Sequence, residues 1–355
     1  MRGIIYQGDG PELVDDLELV DVRPGEVKVD IESAGLCHSD VSVLDGTIPF
    51  PTPVVLGHEG AGVVSEVGDG VTSVQPGDHV VLSTVASCGT CAQCSAGKPT
   101  HCANSTARFV KPFRRGDQKL FQFAAAGTFA EQTIVTESQA IKIDPEIGFD
   151  VASLIGCGVI TGVGAVLNRA KVQAGESAVV IGAGGIGLNV IQGLRLARAN
   201  PIIAIDANRN KETLARQFGA TEFVLAEEGI DTVAAAKELS GGGVDYAFEC
   251  VGHPALIKQS TEMLGTGGNT VIIGVPPLGT EASFTVFGLY HDKGIMGCRY
   301  GTARPHHDFP FLATQYQAGN LMLDELVSAT YDLADFDKAL DALHEGNTAR
   351  GVLHP

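Results

Sequence analysis

The rhythm of apolar and polar positions changes about halfway along the chain. Up to about residue 150 it predicts short strands broken by turns. Glu26-Val27-Lys28-Val29-Asp30-Ile31 alternates with the period of a half-buried strand. Gly60–Gly68 and Asp78–Leu82 read as further strands, with Pro76-Gly77-Asp78 as a turn between them. This half is therefore expected to be an antiparallel, β-rich domain with loops. From near residue 160 the pattern becomes strand, helix, strand. Ser177–Ile181 is an apolar strand followed by glycines and a helical stretch to about Ala199. Pro201–Asp206 is the next strand and Lys211–Phe218 the next helix, and Val244–Glu249 and Thr270–Gly274 continue the alternation. Near-continuous apolar strands alternating with helices predict a parallel sheet covered on both faces. The last 55 or so residues are mixed, with a helix over Phe336–His344, and are expected to return to the first domain.

Composition narrows the class. A chain of 355 residues exceeds one ordinary core, which suggests two domains. Hydrophobic residues at 44% and charged residues at 19%, without a low-complexity tract, describe a folded globular protein. Lys and Arg total 24 against 42 Asp and Glu, a net charge of −18. That surface repels phosphate backbones and anionic lipids, so neither a nucleic-acid nor a membrane partner is expected. The N-terminus lacks the apolar core of a signal peptide. The longest near-apolar stretch, Leu154–Leu167, falls short of the roughly 18 residues that span a bilayer. A cytoplasmic location is the resulting expectation, and there the eight cysteines should be thiols or metal ligands.

Gly182-Ala183-Gly184-Gly185-Ile186-Gly187 fits the G-x-G-x-x-G pattern. In a glycine-rich chain the pattern alone is weak; its context carries the weight. It follows an apolar strand, opens a helix and precedes a second strand ending in Asp206. Gly182, Gly184 and Gly187 allow the tight turn and close approach of a pyrophosphate to the helix start at Gly185-Ile186. Asp206 is placed to bind the adenosine ribose hydroxyls and to repel a 2′-phosphate, which points to NAD over NADP. Arg209 counters that argument, and Lys211 is a further candidate for holding the ribose.

Two cysteine groups suggest metal. Cys88-x2-Cys91-x2-Cys94-x7-Cys102 suits a closed, all-thiolate zinc site. An iron–sulfur cluster and free thiols are the competing readings of that spacing. The second group is dispersed: Cys37, then Gly57-His58-Glu59, then Cys157. Two thiolates and one imidazole leave a fourth position open, the ligand set of alcohol dehydrogenase type. An alcohol must lose its proton before its carbon releases hydride, and a cation beside the oxygen favours that loss. Periodicity does not establish that residues 37, 58 and 157 meet in space.

The order and detail of these motifs resemble the zinc-dependent medium-chain dehydrogenase/reductase family along essentially the whole chain. Cys37-His38-Ser39-Asp40, Gly57-His58-Glu59-Gly60-Ala61-Gly62-(x5)-Gly68-(x2)-Val71, the four-cysteine loop, Gly156–Gly162 and the glycine fingerprint occur in the family's order. The resemblance implies a GroES-like catalytic domain over 1–158 and 297–355 and a doubly wound Rossmann NAD-binding domain over 159–296, with the active site in the cleft between them. It implies two zinc ions per chain: a catalytic one on Cys37, His58 and Cys157, and a structural one on Cys88, Cys91, Cys94 and Cys102.

The same resemblance assigns Ser39 as the hydroxyl that takes the substrate's proton, and Asp40 and Glu59 as carboxylates behind the metal. Glu59 has the alternative role of a transient ligand. It implies that His38 and Arg350 meet the cofactor pyrophosphate, that Thr161 meets the nicotinamide, and that Val251 and Val275 form the cofactor wall. Where many relatives carry a histidine three residues after Ser39, this chain has Ser42, which is no base near neutrality. The substrate pocket is expected near Ser42, Thr84, Phe121, Phe129 and Val275. Hydride exchange between a primary alcohol/aldehyde pair and NAD is the implied reaction, with a leaning towards aryl or allylic alcohols. Oxidation of a formaldehyde–thiol adduct is the alternative, and a non-catalytic cofactor-binding protein a remoter one. A homodimer is expected, with a tetramer as the second choice.

Overall fold

The computed structural model describes residues 1–105, 110–346 and 348–355. The chain divides into two compact units, Met1–Gly158 with Ala303–Pro355, and Val159–Thr302. Residues 297–302 thus stay with the second unit, because Cys298 N–H donates to the Ile272 carbonyl at 2.9 Å and extends that unit's sheet edge.

The first unit is built on Glu26–Leu36, the long strand whose alternation is plainest in the sequence. It pairs antiparallel with Glu59–Val67, Gln132–Thr136 and Arg350–His354. His79–Leu82 and Ala140–Lys142 extend the sheet on one side, and Val327–Asp332 on the other. Val27, Val29 and Ile31 point into a core that also takes Leu36, Val64, Val80, Leu82 and Leu353. A six-stranded sheet carries Gly3–Tyr6, Val54–Val55 and the hairpin Phe113–Arg115/Gln118–Gln122. The unit is not wholly antiparallel: Val327–Asp332 runs parallel to Arg350–His354, and Val54–Val55 parallel to Phe121-Gln122. This hairpin lies between Cys102 and Thr128, where residues 106–109 are outside the described residues. At Gly62 only a hydrogen fits, since a Cβ would land on the Asp30 carbonyl oxygen of the neighbouring strand.

The second unit is a parallel six-stranded sheet in the order Glu222–Leu225, Ile202–Asp206, Ala178–Ile181, Val244–Glu249, Leu264–Ile272, Gly294–Gly297. Numbered along the chain this is 3-2-1-4-5-6, the doubly wound dinucleotide-binding arrangement. Its central strands are buried on both faces, as Val179, Ile203, Phe248 and Val271 show. That burial explains why they read as apolar runs without alternation.

Between the units' sequences runs one helical segment, Phe149–Ala170, of 22 residues, with π-helical turns at Ile155–Val159 and Ala165–Ala170. It outlasts the Leu154–Leu167 stretch and is long and apolar enough to cross a membrane. The most apolar window is 83% buried within the protein, the mark of a core helix.

Candidate metal centre and cofactor site

The end of the long strand and the start of the next delivers the metal group. Cys37 follows Glu26–Leu36 directly and precedes the short helix His38–Leu44; His58 precedes Glu59–Val67. Cys157 sits in the π-helical turn Ile155–Val159, where one extra residue per turn re-aims a side chain. The sulfur, nitrogen or oxygen ligand atoms of Cys37, His58, Glu59 and Cys157 all lie within 4.8 Å of one another. Three residues far apart in sequence therefore meet, and Glu59 meets them.

Asp40 holds this arrangement together. It is wholly buried, and its Oδ2 accepts the Cys37 backbone N–H at 3.2 Å while Oδ1 accepts the Gly57 N–H at 3.1 Å. Oδ1 also lies 3.2 Å from His58 Nδ1. With Nδ1 directed at Asp40, the other nitrogen, Nε2, is buried and has no hydrogen-bond partner among the described residues. An orphan imidazole nitrogen between two thiols is what a zinc ion would complete.

Electrostatics point the same way. Cys157 donates to Cys37 and, with Arg350 and His58 nearby, holds the Cys37 thiol well below its ordinary range. That contact and burial push Cys157 up. Burial opposes charge on His58, but Asp40 and Cys37 outweigh it and shift the imidazole upward. Burial raises the Glu59 carboxyl to about 7, against the pull of Arg350. A dry pocket holding Asp40, Glu59 and a thiolate against Arg350 suits an additional cation.

Arg350, expected at the pyrophosphate, is a buried member of this group: its Nη2 lies 3.5 Å from Glu59 Oε1. A Cβ at Gly158 would come within 2.5 Å of the same Nη2, so the glycine after Cys157 makes room for the guanidinium. Sequence offered no signal for this pairing, which joins the last strand to the metal group. Ser39 Oγ lies 3.9 Å from Cys37 Sγ. His38 is exposed at the start of the same helix.

An aromatic wall adjoins His58. Phe123 meets the imidazole edge-on at 5.3 Å between centroids, Phe50 meets Phe123 at 5.3 Å, and Phe121 meets Phe50 at 6.5 Å. Phe50 and Phe123 escaped the sequence reading. Phe129, expected to line the pocket, is wholly buried and packs on Phe336 instead.

The four-cysteine loop closes on itself. Neighbouring sulfurs lie 3.5 Å (Cys91–Cys94), 3.6 Å (Cys88–Cys102) and 3.9 Å (Cys91–Cys102) apart. A disulfide would need about 2.05 Å, whereas four sulfurs ~2.3 Å from a shared zinc lie about 3.8 Å from one another. The backbone N–H groups of Thr90 and Cys91 lower Cys88 to about 5, favouring thiolate.

In the second unit the glycine fingerprint links Ala178–Ile181 to the helix Gly185–Leu196, with Gly184 as its N-cap. Gly182 has φ +92°, and a Cβ on Gly187 would strike the Gly182 carbonyl. Asp206 Oδ2 accepts the Ala183 N–H at 2.7 Å, which ties the end of the second strand to the fingerprint. Lys211 Nζ lies 3.4 Å from the same carboxylate, while Arg209 is turned to Glu227 at 3.9 Å. Gly162, next to Thr161, packs on Asn189 and the Ile186 carbonyl of the fingerprint helix. Val251 and Val275 are 51% and 58% exposed, and Val251 borders Gly182. Glu249, which the sequence reading missed, accepts the Val251 and Gly252 N–H groups at 2.9 and 2.8 Å and braces that wall. A carboxylate ending an apolar strand was the available signal.

Residues 23–145 match the alcohol dehydrogenase GroES-like domain and residues 185–316 the zinc-binding dehydrogenase family. An S-(hydroxymethyl)glutathione dehydrogenase of Synechocystis sp. is 40% identical, over 99% of this chain and 98% of its own. The chain belongs to the zinc-type medium-chain alcohol dehydrogenase family. Among solved structures, benzyl alcohol dehydrogenase from Acinetobacter calcoaceticus superimposes with a TM-score of 0.94 at 33% identity, covering 99% of this chain and 98% of that one. A zinc-binding dehydrogenase from Sinorhizobium meliloti 1021, solved with NADP, has a TM-score of 0.83 at 26% identity, covering 100% and 99%. The GroES-like and Rossmann folds, and an oxidoreductase that uses zinc and a nicotinamide cofactor, follow from this membership.

The two cysteine groups should fill independently. Purified protein is expected to hold two zinc ions per chain, and Cys91→Ser to hold one while losing at least ~2 kcal/mol of unfolding free energy. Metal analysis and denaturant titration check both; an unchanged zinc content in the variant would contradict the assignment.

Proposed function

We propose that this dehydrogenase interconverts a primary alcohol and its aldehyde using NAD. The observation that carries the reading is the orphan Nε2 of His58, set among Cys37, Cys157 and Glu59, with the Ser39 hydroxyl 3.9 Å from the Cys37 sulfur. Cys37, His58 and Cys157 would hold zinc, which when bound acts as a Lewis acid that favours loss of the alcohol's proton. Ser39 takes that proton. Asp40 fixes the tautomer of His58 and the backbone on either side of the site, so the ligand geometry does not depend on substrate. Glu59, whose Oε1 lies 3.5 Å from Arg350 Nη2, would stand behind the metal or serve as a transient ligand.

Beyond Ser39 the route of the proton departs from the commoner design. Ser42 is half-buried in the helix His38–Leu44 and supplies no base, so the proton leaves Ser39 through water or another group. Phe50, Phe121 and Phe123 favour an apolar or aromatic group next to the hydroxymethyl carbon, in keeping with the benzyl alcohol dehydrogenase likeness. The Asp206 carboxylate at the fingerprint favours NAD over NADP.

Oxidation of an S-hydroxymethyl thiol adduct is the second reading. It is favoured by relatives of 38–40% identity named S-(hydroxymethyl)glutathione dehydrogenase. The reacting group is again a primary hydroxyl, and the same residues serve.

Turnover of benzyl alcohol, aliphatic primary alcohols, and formaldehyde with and without glutathione, each with NAD and NADP, decides among these. NAD is expected to support turnover at least ~10-fold better, and Ser39→Ala to lower kcat by about 100-fold or more with zinc retained. Equal use of NADP, or a fully active Ser39→Ala, would overturn the respective assignment. The chain is also proposed to form a homodimer, since Val286, Phe287 and Tyr290 stand 77%, 72% and 78% exposed close in sequence to the edge strand Gly294–Gly297. Light scattering should give the mass of two chains; a monomer would refute it.

A further inference from the structure

We infer that Glu249 is a positioning residue for the cofactor: it locks the two loops that carry Val251 and Val275 into one unit, and so sets how tightly the nicotinamide cofactor is held and how fast it leaves. This rests on the reading of Val251 and Val275 as the cofactor wall and goes beyond it.

Glu249 ends the strand Val244–Glu249, in register with Ile181 on one side and Ile272 on the other. Ile181 is the residue before the first glycine of the fingerprint. The Glu249 backbone carbonyl accepts the Ile273 N–H at 2.9 Å and the Gly274 N–H at 3.0 Å. Its side chain turns to the other loop. Oε1 accepts the Val251 N–H at 2.9 Å and the Gly252 N–H at 2.8 Å, and Oε2 lies 3.0 Å from the same Gly252 nitrogen. One residue thus receives four N–H groups, two from each loop. Cys250 N–H donates to the Ile181 carbonyl at 3.0 Å, which ties the pair to the fingerprint strand.

The two loops also touch each other. A Cβ on Gly274 would strike the Gly252 nitrogen, and a Cβ on Gly252 would come within 2.8 Å of the Val275 carbonyl carbon. Gly252 has φ +86°, in the left-handed region that favours glycine. With no room between the backbones, a shift of one loop is felt by the other. Val251 and Val275 meanwhile stand half-exposed, an apolar surface suited to a flat ring.

Glu249 is wholly buried, and no lysine or arginine pairs with it among the described residues. Burial pushes its carboxyl above the usual range, against the pull of the Gly252, Val251 and His253 N–H groups. Successive N–H groups curled around an anion form a nest, and here the anion is the protein's own. A buried carboxylate is costly, and the side-chain hydrogen bonds of this one go to the loop that holds Val251. Fixing that loop before the cofactor arrives reduces the ordering needed on binding. Glutamine in its place would keep the length, lose the charge that strengthens these bonds and turn an amide N–H towards other N–H groups.

Stopped-flow fluorescence of NADH release, with NADH affinity and steady-state kinetics, compares wild type with Glu249→Gln. The variant is expected to release NADH about fivefold faster or more and to raise Kd for NADH and KM for NAD to match, the loss appearing in KM for NAD rather than in kcat. KM for the alcohol should stay within about twofold, with zinc content unchanged. Hydrogen exchange on wild type needs no variant: segments 250–253 and 273–276 should slow together when NADH is added. Unchanged NADH release in Glu249→Gln, equal rises in KM for NAD and alcohol, or protection of one segment alone would overturn the role of Glu249 and leave the dehydrogenase reading standing. Protection of neither segment by bound NADH would overturn the cofactor wall itself.

Discussion

Most of the metal group depends on one buried carboxylate. Asp40 accepts hydrogen bonds from the backbone at Cys37 and at Gly57 and lies against His58 Nδ1. One side chain therefore sets the spacing of two ligand-bearing segments and turns the imidazole so that Nε2 faces the thiols. The strand end and the strand start are already paired at Gly35 and Glu59; Asp40 adds the tie that orients His58. A charged group with no exposure is tolerated here because its oxygens meet donors, and because the group it organises is itself suited to a cation. Behind it, the Glu59–Arg350 pair connects the same group to the final strand. The C-terminal segment's return to the first unit thus has a chemical as well as a topological consequence.

The dinucleotide half repeats the device with different chemistry. Asp206 reaches back to the Ala183 N–H, and Glu249 gathers the Val251 and Gly252 N–H groups. In each case a carboxylate at a strand end fixes the loop that would meet the cofactor. The loops carry the chemistry and the strands carry the stability, a division expected where ligand sites form at the carboxyl edge of a parallel sheet.

Much of this was legible in the residues. The change from period-two alternation at Glu26–Ile31 to apolar runs such as Ala178–Ile181 separated the two kinds of sheet, because one is half-exposed and the other buried on both faces. The four-cysteine loop was legible because its ligands are local. Cys37, His58 and Cys157 were legible only through resemblance, since no local periodicity brings a residue from a π-helical turn to a strand end. The contact of Arg350 with Glu59 was not legible, because nothing local in the last strand points to the metal group. Phe129 was misread as pocket lining because an aromatic in a loop carries no sign of which side it packs on.

The central claim is that the chain holds two zinc sites of unlike composition, one of four thiolates and one of two thiolates and an imidazole. Zinc-edge X-ray absorption of the purified protein tests it most directly. The account predicts an average of about three sulfurs per zinc at ~2.3 Å, with imidazole scattering from a nitrogen at ~2.0–2.1 Å. A shell of four sulfurs alone, or one dominated by nitrogen and oxygen, would contradict it.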